Sequence, residues 1–219
     1  MNIKEYKNIT GTLKCETGLH IGGSAEQMEI GGVDLPIIKH PITGEPFIPG
    51  SSLKGKMRSQ LEKKLGKITP NGEPCGCGNA DCLVCKVFGP HKNSRHNLGS
   101  TRILVRDAFF SKRTRDEYEK LAKEKGLSYI EKKTENLVLR TTGTAKDPRS
   151  QERVPSGAEF DIEIVLQIYD TDGEGNNLVE FVKEGLRHVQ TTYLGGYGSR
   201  GSGKVSFKDM KLDGKDFTL

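Results

Sequence analysis

The chain has 219 residues, a formal net charge of +5 from 34 lysines and arginines against 29 acids, and 27 glycines. Hydrophobic residues reach only 33%, but with glycine added the apolar share approaches that of a globular domain, which excludes a collagen, a coiled coil and a wholly disordered chain. No run nears the ~18 apolar residues of a membrane span, and the polar opening MNIKEYKNIT has no signal peptide, so a soluble, cytoplasmic protein without membrane partners is expected.

Residues 4–20 read as a strand, with Tyr6, Ile9 and Leu13 among polar neighbours. Gly18, Gly22, Gly23, Gly31 and Gly32 then mark a loop, followed by a short apolar piece at Leu35–Lys39. Ser51 is placed to cap a helix in which Leu53, Met57, Leu61 and Leu65 fall four apart, with Gly66 closing it. Residues 67–100 read as an insertion. Thr101–Ser111 reads as a strand and 114–125 as a short charged helix closed by Gly126. Leu137–Thr142 and Phe160–Tyr169 read as strands, the second alternating cleanly, with a polar loop or protruding hairpin at Thr142–Pro155 between them. A helix over Asn177–Thr191, a glycine-rich loop and a strand at Lys204–Leu212 complete the chain. Without the insertions the order is strand, helix, strand, strand, helix, strand. That is an α+β, ferredoxin-like (RRM-like) βαββαβ core in a single domain over 1–219, although the aromatic signature of the RNA-recognition motif is absent.

The positive charge is concentrated. Residues 50–67 hold six cations against Glu62, and residues 86–115 hold eight against Asp107, so the remainder is acidic. Two basic blocks suggest a polyanion-binding face. Lys54, Arg58 and the neighbouring Ser51 and Ser52 stand at the start of the first helix, where backbone donors and cations suit phosphate.

Four of the five cysteines, Cys75, Cys77, Cys82 and Cys85, fall within eleven residues. Four thiolates at this spacing can close a tetrahedral structural zinc site with no open position for water. The Cys-x-Cys pair is tighter than the usual knuckle, so His91 or His96 could replace one member. A disulfide framework is the alternative.

Between Gly198 and Lys204 the chain fits the spacing of a nucleotide-binding P-loop, but Val205 stands where Ser or Thr must hold magnesium, and a strand follows where a helix is needed. An NTPase is therefore not expected. The anion-binding physics survives: Gly195, Gly196, Gly198 and Gly201 expose backbone N–H groups, with Arg200 and Lys204 adding charge.

The Phe47–Arg58 segment (FIPGSSLKGKMR), the ferredoxin-like order and the loop GGYGSRGSG together resemble the RAMP superfamily of CRISPR systems, in particular the repeated backbone subunit of the type III-A (Csm) interference complex. Ile30–Ile37 and Arg140–Ala145 with Arg149–Pro155 add to the likeness, which covers nearly the whole chain. The resemblance implies that copies stack as a helical filament along a CRISPR RNA beside other subunits of that complex. Guide phosphates would be gripped by Ser51, Ser52, Lys54, Arg58 and the glycine loop. A thumb at about 134–155, carrying Arg140, would displace a nucleotide at regular intervals. It further implies that Asp34 cleaves complementary target RNA with Mg²⁺ or Mn²⁺.

From the residues alone, Asp34 follows two glycines, and RNA brings its own 2′-OH nucleophile, so one carboxylate with a metal can suffice; capping a turn is its plainer role. His20 is a weaker candidate for RNA contact. Asp107 reads as a partner of Arg106 or a second carboxylate. The rival functions are a guide-binding scaffold that does not cut and a related endoribonuclease that processes precursor RNA.

Overall fold

Strand β1 (Ile3–Cys15) lies at the centre of the molecule because every second residue of its second half is apolar: Ile9, Leu13 and Cys15 are buried on one face. In the computed structural model, which describes residues 1–23 and 33–219, it pairs on one side with β6 (Glu159–Tyr169) and on the other with β7 (Val205–Leu212). The short strands β2 (Ile103–Val105) and β3 (Phe109–Phe110) follow β6, and β8 (Lys215–Asp216) follows β7, so the sheet order is β2-β6-β1-β7-β8 with every pair antiparallel. Phe160, Ile162, Ile164, Leu166 and Ile168 of β6 are buried as their alternation requires. Gly31, Gly32 and Ile30 lie outside the described residues.

Helices α1 (Gly50–Lys64) and α4 (Asn176–Thr191) pack on the buried face of this sheet, with the short α2 (Leu83–Phe88), which carries Cys85, against them. Leu53, Met57 and Leu61 of α1 meet α4 where Gly185 permits close approach: an added Cβ would lie 3.2 Å from Met57 and Leu61. Gly66 closes α1 as expected, with φ +63° and paired bonds from Gly66 N–H to the Lys63 carbonyl and from Lys67 N–H to the Glu62 carbonyl. The start of α1 differs from expectation. Pro49, not Ser51, is the N-cap, and the serines sit inside the first turn. The Gly50 N–H is taken instead by Asp107 Oδ1 at 2.7 Å, while an added Cβ at Gly50 would lie 2.1 Å from the Val105 carbonyl oxygen.

Asp107 also explains why Thr101–Ser111 is two short strands rather than one. It leaves the ladder to cap α1, and Ala108 pairs with Ile48. Its partner is therefore the α1 backbone, whereas Arg106 faces Glu163. The charged helix α3 (Lys112–Lys125) begins two residues earlier than its periodicity suggests, because Ser111 Oγ accepts the Thr114 N–H. The protruding hairpin is β4 (Glu131–Val138) and β5 (Ala145–Arg153), so the strand expected at Leu137–Thr142 is the end of β4 and the turn beyond it. Similarly, β1 stops at Cys15. Residues beyond it serve other partners: Glu16 N–H bonds the Lys204 carbonyl, and Leu19 pairs with Val154 at the base of the hairpin.

The chain contains no helix long and apolar enough to cross a membrane among the described residues.

Candidate functional site

The base of the hairpin gathers the segments that sequence reading singled out separately. Asp34 Oδ2 accepts the Ser150 N–H of β5 at 3.0 Å, so the carboxylate is tied to the hairpin and not to a turn of its own. Leu35 pairs with Gln151 beside it, and the Glu152 N–H donates to the Leu35 carbonyl. The buried Glu152 side chain accepts the Ile37 N–H at 3.1 Å and pairs with Lys39. Its backbone carbonyl takes the Nδ1–H of His20 at 2.8 Å. Thus β5 orients both Asp34 and His20. His20 is only 5% exposed, so its ring is first of all a fixed part of the wall. In front of this wall lies a cavity of about 660 Å³ lined by Asp34, Leu35, Asp147, Pro148, Arg149 and Tyr197.

The glycine loop closes on the same place. Gly196 N–H bonds the His20 carbonyl and Gly203 N–H the Gly18 carbonyl. Arg200 pairs with Glu135 of β4 at 2.9 Å, and Lys133 donates to the Arg200 carbonyl, so the loop is fastened to the hairpin. Several loop N–H groups are consumed within the loop or by residues 18 and 20, which leaves those of Gly195, Tyr197, Gly198 and Ser199 without an acceptor among the described residues. The anion-binding stretch is therefore narrower than its glycines suggest. Gly195 has φ +73°, and an added Cβ would lie 2.2 Å from the His20 carbonyl oxygen; Gly201 has φ +85° but faces open space. Gly195→Ala is expected to destabilise the fold by about 2 kcal/mol or more, and Gly201→Ala by about 1 kcal/mol from backbone strain alone. Urea unfolding of the two variants checks this, and equal losses would sink the close-contact argument.

At the start of α1, Ser51 is exposed and Ser52 half-buried. Burial and the neighbouring Arg58 charge push the Lys54 ammonium below its usual range. Arg58 has other commitments: it pairs with Glu62 at 2.8 Å and donates to the Cys75 carbonyl at 2.7 Å, so it fastens the cysteine loop to α1. Lys56, which the sequence did not single out, lies 3.3 Å over the Tyr193 ring, and that ring fills the space an added Cβ at Gly198 would need. The helix start and the glycine loop thereby share one wall. Arg140, by contrast, sits at the hairpin tip with its guanidinium on the Val138 carbonyl.

Six of the eight cations of the second basic block are paired with acids. Arg102 is buried against Asp172, and Lys92, Arg106, Lys112, Arg113 and Arg115 each pair with a carboxylate. Folding turns a linear excess of charge into mostly neutral pairs.

The sulfurs of Cys75, Cys77, Cys82 and Cys85 all lie within 4.8 Å of one another, and no histidine joins the group among the described residues. Separations of 3.6, 3.7 and 4.0 Å exclude disulfides. They match a tetrahedral ion with Zn–S bonds of about 2.3 Å, which sets sulfurs about 3.8 Å apart. Burial opposes ionisation of Cys77, but the Asn79 N–H and the adjacent thiols outweigh it and bring that thiol to about 7. The set fits a structural metal, and Glu62 Oε1 anchors it by accepting the Cys75 N–H at 2.9 Å.

Residues 12–206 match the family model of the RAMP superfamily. The chain belongs to the RAMP superfamily. Among RAMP relatives, it is 46% identical to the CRISPR system endoribonuclease Csm3 of Methanothermobacter thermautotrophicus, over 97% of this chain and 87% of that protein. It is 41% identical to the protein of the same name from Streptococcus thermophilus, over 93% of this chain and 87% of that one. A chain in the crystal structure of the Csm3–Csm4 subcomplex of the type III-A CRISPR-Cas interference complex superposes with a TM-score of 0.61 at 31% identity, covering 97% of this chain and 80% of that chain. These RAMP matches agree with a mixed α/β fold built on antiparallel sheets.

Tyr197 and Glu135 were not singled out as site residues in the sequence, and Arg149 entered only as the start of a stretch resembling the family. Only Tyr197 carried a local signal: it is the single aromatic residue between the glycines of its loop.

Proposed function

We propose that this chain is a guide-RNA-binding backbone subunit of a type III-A CRISPR effector complex and an endoribonuclease that cuts complementary target RNA through Asp34. The observation that carries the reading is the Asp34 carboxylate on the wall of the cavity at the hairpin base, held there by Ser150 N–H. The naming of 39–46% identical relatives as endoribonucleases supports it. A ferredoxin-like core is supported by the sheet order, in which β1 and β6 are central, each connects through a helix to the strand on the far side of the other, and all pairs are antiparallel.

The hairpin acts as the thumb, with Arg140 at its tip. Ser51, Ser52, Lys54 and the free N–H groups of the glycine loop hold guide phosphates, and repeated copies along the guide, with other subunits of the complex, set regular cutting intervals. An RNA strand bent by the thumb presents its 2′-oxygen in line with the adjacent phosphorus. That oxygen bonds to phosphorus as its proton leaves to water, the bond to the 5′-oxygen breaks, and the products are a 2′,3′-cyclic phosphate and a 5′-hydroxyl. Asp34 and Asp147 share the cavity, and this donor set suits a divalent cation that keeps several waters. Such a cation, when bound, supplies charge neutralisation at the phosphate. Complexes assembled on a guide are expected to cut matching RNA into regularly spaced fragments. Persistence of that ladder after Asp34→Ala would sink the catalytic assignment.

The four cysteines hold zinc as a structural ion. Metal analysis should find one zinc per chain, and its removal by a chelator should lower the thermal midpoint by about 10 °C. Protein free of zinc with an unchanged midpoint would refute this.

A further inference from the structure

Tyr197 holds a backbone conformation that its neighbours would adopt more easily. Its φ of +60° lies in the left-handed region, between Gly196 and Gly198, where glycine is free of steric cost. The fold nevertheless places an aromatic residue there and immobilises it. The ring packs 4.9 Å from the His20 ring, and the Arg200 guanidinium lies 4.3 Å from its centre. Both neighbours are anchored in turn, His20 by the Glu152 carbonyl and Arg200 by Glu135. Tyr197 lines the cavity of Asp34 and also the smaller one formed by Leu35, Glu135, Arg149, Gln151 and Arg200. No hydrogen bond from its hydroxyl exists among the described residues, and the oxygen is not a buried orphan, so it is free to meet a ligand. A fixed ring with an unused O–H, on the same cavity as a carboxylate, is the arrangement of a proton donor.

We propose that Tyr197 is a catalytic residue for the cleavage assigned to Asp34, protonating the departing 5′-oxygen. The inference rests on the reading of this cavity as the cleavage site. As the 2′-oxygen bonds to phosphorus, the bond to the 5′-oxygen breaks and leaves its electron pair on that oxygen. The oxygen takes the phenolic proton, and the phenolate recovers one from water.

Tyr197→Phe keeps the ring and removes only the hydroxyl. Complexes assembled on guide RNA with parent or Y197F subunits are given target RNA with either the normal 5′-oxygen or a 5′-sulfur at the scissile bond. A thiolate leaves without protonation, because thiols are much stronger acids than alcohols. Y197F is expected to cut the normal target about 100-fold more slowly, to cut the sulfur-substituted target at the parent's rate, and to bind both unchanged. Equal slowing on both targets, or no slowing on the normal one, overturns the proposal. Asp34→Ala separates the two claims. If it stops cutting while Y197F cuts normally, only the tyrosine's role is lost; if it still cuts, the reading of the cavity falls and the inference with it.

Discussion

Complexes carrying Asp34→Ala are expected to bind guide and target RNA as the parent does and to cut the target about a thousandfold more slowly. The expectation follows from what the carboxylate touches. One oxygen accepts the Ser150 N–H, which fixes the group on β5, and the cavity opens beside it. Removing the side chain leaves one exposed N–H to water, a structural loss of about 1 kcal/mol or less, too small to disturb the hairpin. Charge, not shape, should be decisive, so Asp34→Asn should be nearly as slow as alanine. Single-turnover cleavage with a parallel binding assay checks both variants. An asparagine variant that cuts at the parent's rate would mean the carboxylate only positions the loop.

Asp172→Ala should lower stability by about 3–5 kcal/mol, the largest single-residue loss expected outside the apolar core. The side chains of Arg102 and Asp172 are 2% and 1% exposed and meet through two bonds of 3.0 and 3.1 Å. Arg102 also donates to the carbonyls of Leu98 and Ser100 and lies 4.8 Å from the centre of the Tyr169 ring. Without Asp172 a guanidinium is left buried with no counter-charge. Burial by itself disfavours the Asp172 carboxylate, but Arg102 and the Tyr169 N–H outweigh it and hold its carboxyl below the usual range. A depressed folded pKa stabilises above the ordinary carboxylate value and is lost as pH falls through the folded one. The gap between parent and variant should therefore be full at pH 7 and shrink below about pH 4. Urea unfolding at the two pH values measures it. A gap that stays constant in acid would show that the loss comes from packing instead.

The elements that were legible before folding are those whose cause is local. A spacing of four between Leu53, Met57 and Leu61 makes a helix stripe wherever the helix ends up, and the alternation of Phe160–Ile168 makes a half-buried strand. Gly66 and Gly126 close their helices through their own backbone freedom. The cysteines stand close enough in sequence to find one another without help from the fold. Asp34 could be named from its resemblance to a family, but not what holds it, since Ser150 is 116 residues away.

Charge was where linear reading went furthest astray. Arg102 counted toward a polyanion-binding block, and folding buried it on an acid 70 residues distant. Asp107, read as a neighbour's partner, caps a helix that starts 57 residues earlier. By itself the sequence determined the helix stripes, the alternating strand, the cysteine cluster and the glycine loop, because each depends on residues a few positions apart. The tertiary structure alone decided which cations stay free, where Asp34 is tied and why Tyr197 matters. Those depend on contacts between distant segments, and hydrogen bonds and ion pairs reach only a few ångströms, so no spacing along the chain encodes them.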